Sequence, residues 1–224
     1  MIHLLFSKIH QEMHEEIFAT LDQFPEDFQA KVRSFWRWED AQLSILGRLL
    51  LLEGLDRYYS IKDPEIVYSD FNKPLLKGVP LNFNISHSGD LTACVISEYN
   101  VGVDLEQIVD IDVSLFQNQM TSIEWIELQG SEKILVSFYD LWTKKEAILK
   151  GDGRGLSVPM NSFYILDDKA KLSGKLWGVT PIDLNKPLYS CHIACDKVIN
   201  ESDIVIKYFP GFQLINVQLA ANGK

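Results

Sequence analysis

The sequence lacks the features that mark secreted and membrane-spanning proteins. Only three cysteines occur in 224 residues, at Cys94, Cys191 and Cys195. They cannot all pair with one another, so we expect free thiols in a reducing compartment. The most apolar helical stretch, residues 43–55, is interrupted by charged residues and is too short to span a bilayer. The first residues carry no basic region ahead of an apolar run, unlike a secretory signal. We therefore expect a cytoplasmic protein that does not bind membranes.

The chain also lacks an excess of positive charge. It has 21 lysines and arginines against 31 acidic residues, which gives a formal net charge of -10. General binding to a nucleic-acid backbone requires a basic face, and no cluster of basic and aromatic residues provides one here. Nucleic acid is therefore excluded as an expected partner. The hydrophobic fraction of 46% and the charged fraction of 23% are instead typical of a folded globular protein.

Both halves of the sequence contain strand and helix patterns. After Pro25, apolar residues recur at helical spacing to about residue 50, which predicts one or two helices. The same spacing returns between Phe138 and Lys150. Short apolar runs predict strands at residues 2–6, 91–97, 101–106, 163–165, 188–194 and 204–208. This distribution permits an α+β fold of two similar lobes, with the strand that contains Asp104 near the seam between them.

Three carboxylates carry most of the chemical signal. Asp104 and Glu106 are two residues apart in a strand pattern and therefore project from one face. Glu146 lies in a helical pattern with Trp142 and Lys150 at intervals of four residues. Taken singly, the strand pair suggests a solvated face and the helix pair suggests simple helix stabilisation. Taken together, they indicate an oxygen-only site that favours Mg²⁺, or Mn²⁺, over Zn²⁺.

The expected metal implies a substrate that carries phosphate, because Mg²⁺ usually takes its remaining ligands from substrate phosphates. Residues 83–89 read F-N-I-S-H-S-G, and Ser86 and His87 offer donors for such an anion. A lone histidine in a loop is more often an ordinary surface residue. The sequence contains no G-x-S-x-G elbow and therefore gives no support to a serine hydrolase.

In this order and spacing, the motifs resemble those of 4'-phosphopantetheinyl transferases of the surfactin-synthetase-activating type. The resemblance covers roughly residues 25–165. The matching segments are F-N-I-S-H-S-G at 83–89, V-G-V-D-L-E at 101–106, W-T-K-K-E-A-I-L-K at 142–150 and G-R-G-L-S-V-P at 153–159. Two positions depart from the family pattern. Phe28 stands where the family often has a basic residue, and Asn72 replaces the usual glycine before Lys73 and Pro74.

The resemblance implies a fold and a reaction. The fold is a pseudo-dimer of two α+β lobes, expected at residues 1–102 and 103–224, with coenzyme A in the cleft between them. The first lobe would contact the nucleotide end of coenzyme A, and the second would hold magnesium and the carrier protein. The reaction transfers 4'-phosphopantetheine from coenzyme A to a serine of an acyl or peptidyl carrier protein and releases adenosine 3',5'-bisphosphate. Fatty-acid, polyketide and nonribosomal-peptide carriers all fit, and a monomer is expected.

The resemblance also implies roles for individual residues. The expected metal ligands are Asp104, Glu106 and Glu146. The expected coenzyme A contacts are Ser86 and His87 at a phosphate, with Lys31, Ser44, Lys73 and, more weakly, Arg48 at the 3'-phosphate and adenine. Lys150 would stabilise charge on the transferring phosphate or the departing bisphosphate. The serine proton would pass to Glu146, to Glu124 or to a metal-bound water.

Two other functions compete with this reading. One is a different magnesium-dependent diphosphate enzyme, such as a hydrolase of nucleotide derivatives. The other is a non-catalytic module that binds coenzyme A or carrier proteins. Because carrier proteins are generally acidic, as is this chain, we expect an apolar docking contact and not long-range attraction. The segment with Val113, Leu115, Phe116 and Met120 is the candidate for that contact.

Overall fold

The computed structural model describes residues 1–211, 213 and 214. In the first half, one strand is followed by three α-helices and then by five strands, and strands dominate after the last long helix. The α-helices are α1 (His14–Ala19), α2 (Glu26–Arg33), α3 (Trp38–Tyr59), α4 (Ser122–Gln129) and α5 (Ile134–Asp152). The strands are β1 (Ile2–Lys8), β2 (Ile66–Tyr68), β3 (Pro74–Leu76), β4 (Asn82–Ser88), β5 (Leu91–Ser97), β6 (Val101–Gln107), β7 (Lys169–Leu172), β8 (Lys175–Pro181), β9 (Tyr189–Cys195) and β10 (Ile204–Tyr208).

Two four-stranded sheets form the framework, which confirms the predicted α+β fold with two lobes. The first sheet has the order β10-β1-β5-β4, and the second has the order β6-β9-β8-β7. A small two-stranded sheet, β2-β3, stands apart from both. Helix α3 packs on the first sheet, and α5 packs on the second. The predicted strands at residues 91–97 and 101–106 are confirmed, but they lie in different sheets. Residues 98–100 therefore carry the chain from one lobe to the other.

The last described strand returns to the first sheet. Strand β10 runs parallel to β1, with Ile2 opposite Ile204 and Phe6 opposite Tyr208. The expected division into residues 1–102 and 103–224 stays a prediction, and residues 204–208 of its second part pair with the first sheet. This pairing covers an edge of β1 that would otherwise expose unpaired backbone groups. Residues 212 and 215–224 of the expected second lobe lie outside the described residues.

A shared apolar core joins the two sheets. Side chains of β1 and β5, including Leu4 and Val95, pack against Val101, Val103 and Leu105 of β6, and all five are fully buried. The alternation of β6 then places Gly102, Asp104 and Glu106 on its opposite face, towards α5. The core that joins the lobes therefore also sets the direction in which the carboxylates project.

Helix α5 approaches β6 closely because a glycine lies beneath it. A Cβ atom at Gly102 would lie 2.1 Å from the carbonyl oxygen of Ala147 and 2.4 Å from the amide nitrogen of Gly151. Any side chain at this position would push the helix away from the strand. The absence of one brings the last turns of α5, with Glu146 and Lys150, next to Asp104. The helix ends at Asp152 and is capped by Gly153, whose φ of 88° is left-handed and typical of a glycine C-cap.

The structure also tests two expectations from composition. Cys94, Cys191 and Cys195 are all buried and unpaired, as predicted. Within the described residues, no helix combines the length and the apolar character that a membrane span requires. Burial raises the pKa of the Cys94 and Cys191 thiols, which keeps them in the neutral form.

Candidate active site

Asp104 is the most buried of the three predicted metal ligands. It is only 1% exposed. Its Oδ1 accepts hydrogen bonds from Ser86 Oγ at 3.0 Å and from Lys150 Nζ at 2.5 Å. Its Oδ2 is buried and has no hydrogen-bond partner among the described residues. The solvated-face interpretation of this strand therefore fails, because a buried carboxylate requires a compensating charge or donor.

Glu106 and Glu146 add negative charge beside Asp104. Burial raises the pKa of Glu106, the hydrogen bond that Ser88 donates opposes this rise, and repulsion from Asp104 increases it. Burial also raises the pKa of Glu146, with a further rise from Asp104 and an opposing effect of Lys150. The two glutamates therefore feel the charge of Asp104, although they lie on different elements of the fold. The structure brings all three predicted ligands into one electrostatic cluster.

The donor set of this cluster fits a hard divalent cation. Three carboxylates, one with an unpaired buried oxygen, are oxygen ligands of the kind that Mg²⁺ and Mn²⁺ prefer. Within the part of the chain that the structure describes, no three His, Cys, Asp or Glu side chains converge closely enough to hold a metal as they stand. Metal binding would therefore require these side chains to adjust.

Lys150 supplies a positive charge to the cluster. Its ammonium group bridges the lobes, because it donates to Asp104 Oδ1 on β6 and, at 2.9 Å, to Ser86 Oγ on β4. The Lys150 side chain remains 29% exposed. Lys150 is therefore in direct contact with Asp104, and its ammonium group can still reach solvent.

His87 is exposed to solvent but is affected by charged residues of the protein. It is exposed at the end of β4, yet the surrounding protein lowers the pKa of its imidazole, with further lowering by Lys150 and Lys31 and an opposing effect of Asp40. Of the charged residues that affect the imidazole, Lys31 is an exposed residue of α2, and Asp40 belongs to α3. The binding of a phosphate by His87 stays a prediction, and the effect of two lysines on its imidazole is compatible with it.

Lys73 reaches across from the first lobe to α5. Its Nζ donates to the carbonyl oxygen of Gly151 at 2.7 Å, and its side chain packs close to Gly153. Burial lowers the pKa of Lys73 to about 8; Asp152 and Asp196 oppose this shift. The ammonium group therefore meets the carbonyl end of a helix, where a cation is favoured.

Arg48 and Ser44 lie one turn apart on α3, and both are partly exposed. The Arg48 guanidinium stands 4.7 Å from the centre of the Phe28 ring, and Phe28 is buried. The ring that departs from the family pattern therefore supports a cationic group through a cation–π contact. Lys31 follows Phe28 by about one turn of α2. The structure thus places Arg48 of α3 against Phe28 of α2, the helix that also carries Lys31.

Glu124 lies in a different environment from the other predicted site residues. It is 3% exposed, and both carboxylate oxygens accept hydrogen bonds from Lys145 Nζ, at 2.7 and 2.8 Å. Oε2 also accepts from the amide and hydroxyl of Thr121, and Oε1 accepts from the amide of Ile165. These partners engage the carboxylate fully. The geometry therefore favours a structural role and speaks against the general-base role considered for Glu124.

The expected apolar docking segment is largely part of the core. Val113 and Met120 are buried, and Phe116 packs against Phe138 and Trp142. Of the four residues named from the sequence, Leu115 is the exposed one, at 74%. The segment is thus corrected, because its apolar spacing serves an internal cluster. The exposed apolar side chains nearby are Leu115, Ile123 and Ile126.

Sequence reasoning missed a polar group on β9. His192 lies opposite Asp104 in the register of β9 and β6, and its side chain is 2% exposed. Its Nδ1 lies 2.8 Å from Thr143 Oγ1 of α5. Burial would raise the pKa of Asp140, but hydrogen bonds from His192 and Lys144 lower it to about 2. The signal available in the sequence was a polar pair two residues apart, Ser190 and His192, inside an otherwise apolar strand.

Two family models match consecutive parts of the chain. A model described as the N-terminal part of 4'-phosphopantetheinyl transferase matches residues 10–99. A model described as the 4'-phosphopantetheinyl transferase superfamily matches residues 100–187. The two matches meet in the link between β5 and β6, where the chain passes from the first sheet to the second.

Similar proteins carry the same activity in their names. The chain is 34% identical over 171 residues to 4'-phosphopantetheinyl transferase gsp of Aneurinibacillus migulanus, covering 74% of this chain and 71% of that protein. It is 31% identical over 162 residues to 4'-phosphopantetheinyl transferase Sfp of Bacillus subtilis strain 168, covering 70% and 71%. It is 39% identical over 115 residues to 4'-phosphopantetheinyl transferase AcpT of Salmonella typhi, covering 49% and 57%.

Replacement of Glu124 tests its structural role. Glu124→Gln leaves Lys145 buried without its carboxylate, so we expect the free energy of unfolding to fall by about 3 kcal/mol. Urea denaturation measures this change, and Glu127→Gln, an exposed site on the same helix, is the matched control. The double variant Glu124→Leu/Lys145→Met should recover most of the loss. Unchanged stability with complete loss of activity would instead support the general-base role.

The pKa of Lys73 predicts a pH dependence of stability. Between pH 8 and the ordinary lysine value of 10.5, the folded chain has lost a proton from Lys73 that the unfolded chain still binds. The free energy of unfolding contributed by Lys73 therefore rises with pH across this window. The free energy of unfolding of the wild type minus that of Lys73→Met should increase as the pH rises above 8. Urea denaturation measures both values.

The control for this measurement is Lys77→Met, which removes an exposed lysine paired with Glu65. Titration of tyrosines and cysteines is common to all three proteins and cancels in the differences. A wild-type-minus-Lys73→Met difference that is flat with pH, like that of the control, would contradict the lowered pKa.

Proposed function

The chain belongs to the 4'-phosphopantetheinyl transferase family, of the Sfp-like type, and from this premise we propose that its phosphopantetheine donor is coenzyme A. The proposed acceptor is a serine of an acyl or peptidyl carrier protein, and the proposed cofactor is Mg²⁺, with Mn²⁺ as a substitute. The observation that carries the proposal is the bridge of Ser86, Asp104 and Lys150, which joins the two lobes beside Glu106 and Glu146.

Coenzyme A is proposed to bind along the seam between the sheets. The proposed contacts of its 3'-phosphate and adenine are Lys31, Ser44, Lys73 and, as a weaker addition, Arg48. His87 is proposed to donate to a phosphate oxygen closer to the carboxylates. The electrostatic influence of both Lys31 and Lys150 on the imidazole supports this order.

Asp104, Glu106 and Glu146 are proposed to hold the divalent cation together with the diphosphate of coenzyme A. The unpaired Oδ2 of Asp104 and the raised pKa values of both glutamates support this assignment, because each signals uncompensated negative charge. When bound, the cation would offset negative charge on the diphosphate. Lys150, now bonded to Asp104, would then be free to donate to the transferring phosphate. Its partial exposure and flexible side chain permit that movement.

The transfer itself forms one bond and breaks one bond. The carrier serine oxygen attacks the β-phosphorus, and the bond from that phosphorus to the bridging oxygen breaks. Adenosine 3',5'-bisphosphate leaves with the bridging oxygen. Of the two glutamates considered as bases, Glu146 is the better candidate for the serine proton, because Glu124 is engaged by Lys145. His87 assists by holding the phosphate.

Docking of the carrier protein is proposed to use the exposed apolar side chains Leu115, Ile123 and Ile126. The net charge of -10 gives no general attraction for an acidic partner, so apolar contact is the better-supported source of affinity. All proposed ligands come from one chain, which supports a monomer as the working unit.

Intact-mass analysis of apo carrier proteins tests the proposed reaction. With this chain, coenzyme A and Mg²⁺, we expect a gain of one phosphopantetheine on the carrier serine. The gain should disappear with a chelator and with Asp104→Ala, and it should persist with the control Asp110→Ala, an exposed carboxylate three residues after β6.

Two other outcomes would overturn the proposal. Cleavage of coenzyme A without any carrier would indicate a magnesium-dependent hydrolase. Tight binding of coenzyme A with no transfer to fatty-acid, polyketide or peptide carriers would indicate a non-catalytic binding module.

A further inference from the structure

The two sheets meet at β4 and β6 without pairing their backbones. Each of these strands is the edge of its own sheet. In a paired sheet, backbone carbonyl groups of a neighbouring strand would accept hydrogen bonds from the amides of β6. Here alternate side chains of β4 accept them from alternate amides of β6. The three bonds run from Val103 N to Asn84 Oδ1 at 3.0 Å, from Leu105 N to Ser86 Oγ at 3.3 Å and from Gln107 N to Ser88 Oγ at 3.0 Å.

The two serines of this ladder also hold the predicted metal ligands. Ser86 Oγ donates to Asp104 Oδ1 at 3.0 Å, and Ser88 Oγ donates to Glu106 Oε2 at 2.6 Å. A hydroxyl has one proton and two acceptor positions. The proton of each serine is therefore committed to a carboxylate. Ser86 also accepts from Lys150 Nζ at 2.9 Å, so its hydrogen-bonding capacity is fully used within the protein.

The alternation of β4 separates this role from phosphate binding. Ser86 and Ser88 face β6, whereas His87, between them, projects from the other face of the strand and is exposed. The sequence led us to expect Ser86 at a phosphate of coenzyme A. In the structure its hydroxyl has no free proton with which to bind one. The histidine of the motif is available to the substrate, and the serines are not.

We infer that Ser86 and Ser88 are positioning residues, which fix the Asp104 and Glu106 carboxylates for metal binding from the opposite lobe. This inference rests on the proposed function, because it concerns the proposed metal. It gives Ser88 a role and moves Ser86 from the substrate to the carboxylates. Hydrogen bonds to ligand carboxylates commonly affect metal affinity by about 10- to 100-fold.

Direct Mn²⁺ binding tests the inference without any turnover. The free Mn²⁺ signal in electron paramagnetic resonance gives the dissociation constant for the full chain in the absence of coenzyme A. We expect Ser86→Ala and Ser88→Ala each to weaken Mn²⁺ binding by about 10- to 100-fold. Ser88→Thr, which keeps the hydroxyl, should restore most of the affinity. The matched control is Ser97→Ala, a buried serine of β5 whose hydroxyl bonds to the carbonyl of Met1.

Coenzyme A binding provides the second readout. Calorimetry in the presence of a chelator should give the same coenzyme A affinity for the wild type, Ser86→Ala and Ser88→Ala. In a Glu106→Gln background, Ser88→Ala should have little further effect on Mn²⁺ binding, because the hydroxyl acts through that carboxylate. Circular dichroism checks each fold, and Ser→Cys replaces any alanine variant that does not fold.

The possible failures are distinguishable. Wild-type binding of Mn²⁺ with unaltered binding by both alanine variants would overturn the positioning inference alone. Weakened coenzyme A binding in the chelator, with Mn²⁺ binding intact, would return Ser86 to the phosphate site and also contradict it. Absence of Mn²⁺ binding by the wild type would overturn the proposed metal dependence, and the inference with it.

Discussion

Negative charge held inside the seam between two lobes is the constraint on which the arrangement of this molecule depends. A carboxylate as buried as Asp104 must be compensated by hydrogen bonds or by positive charge. Lys150 and Ser86 both contribute, and they come from opposite lobes. Of these two, Lys150 belongs to the same lobe as Asp104, so only the hydrogen bond from Ser86 depends on the lobes being together. Glu106 and Glu146 increase the demand for positive charge, which a divalent cation would meet better than one lysine.

The framework supplies the geometry that this charge cluster needs. The apolar face of β6 packs into the core between the sheets, which directs Asp104 and Glu106 towards α5. Gly102 lets α5 lie against the strand, so that Glu146 and Lys150 reach the same place. The side-chain ladder of β4 then closes the remaining edge. The apolar core, the close approach at Gly102 and the hydrogen bonds from β4 therefore all position the same two elements, β6 and the last turns of α5.

Local periodicity was enough to predict the parts of this site that lie on single elements. The two-residue spacing of Asp104 and Glu106 and the four-residue spacing of Glu146 and Lys150 placed them on the correct faces of β6 and α5. The two-lobe α+β fold followed from the patterns in each half and from the family resemblance. These features depend on neighbours in sequence, which is why the sequence alone was sufficient.

Partners far apart in sequence were not predictable in this way. Strand β10 pairs with β1 across about 200 residues, and its alternation fits either sheet. The buried Lys145–Glu124 pair connects two helices, so spacing within one helix could not reveal it. The same applies to Ser88 with Glu106 and to Lys73 with Gly151. In each case the choice of partner is made by tertiary packing, which periodicity does not encode.

The most direct test of the central claim is a crystal structure with coenzyme A and Mn²⁺, in which anomalous scattering locates the metal. The account predicts one manganese peak bound by Asp104, Glu106 and Glu146 and by the diphosphate. It also predicts that Lys150 Nζ has moved from Asp104 to a phosphate oxygen. A diphosphate bound with Lys150 still on Asp104, or a manganese peak away from the three carboxylates, would contradict it.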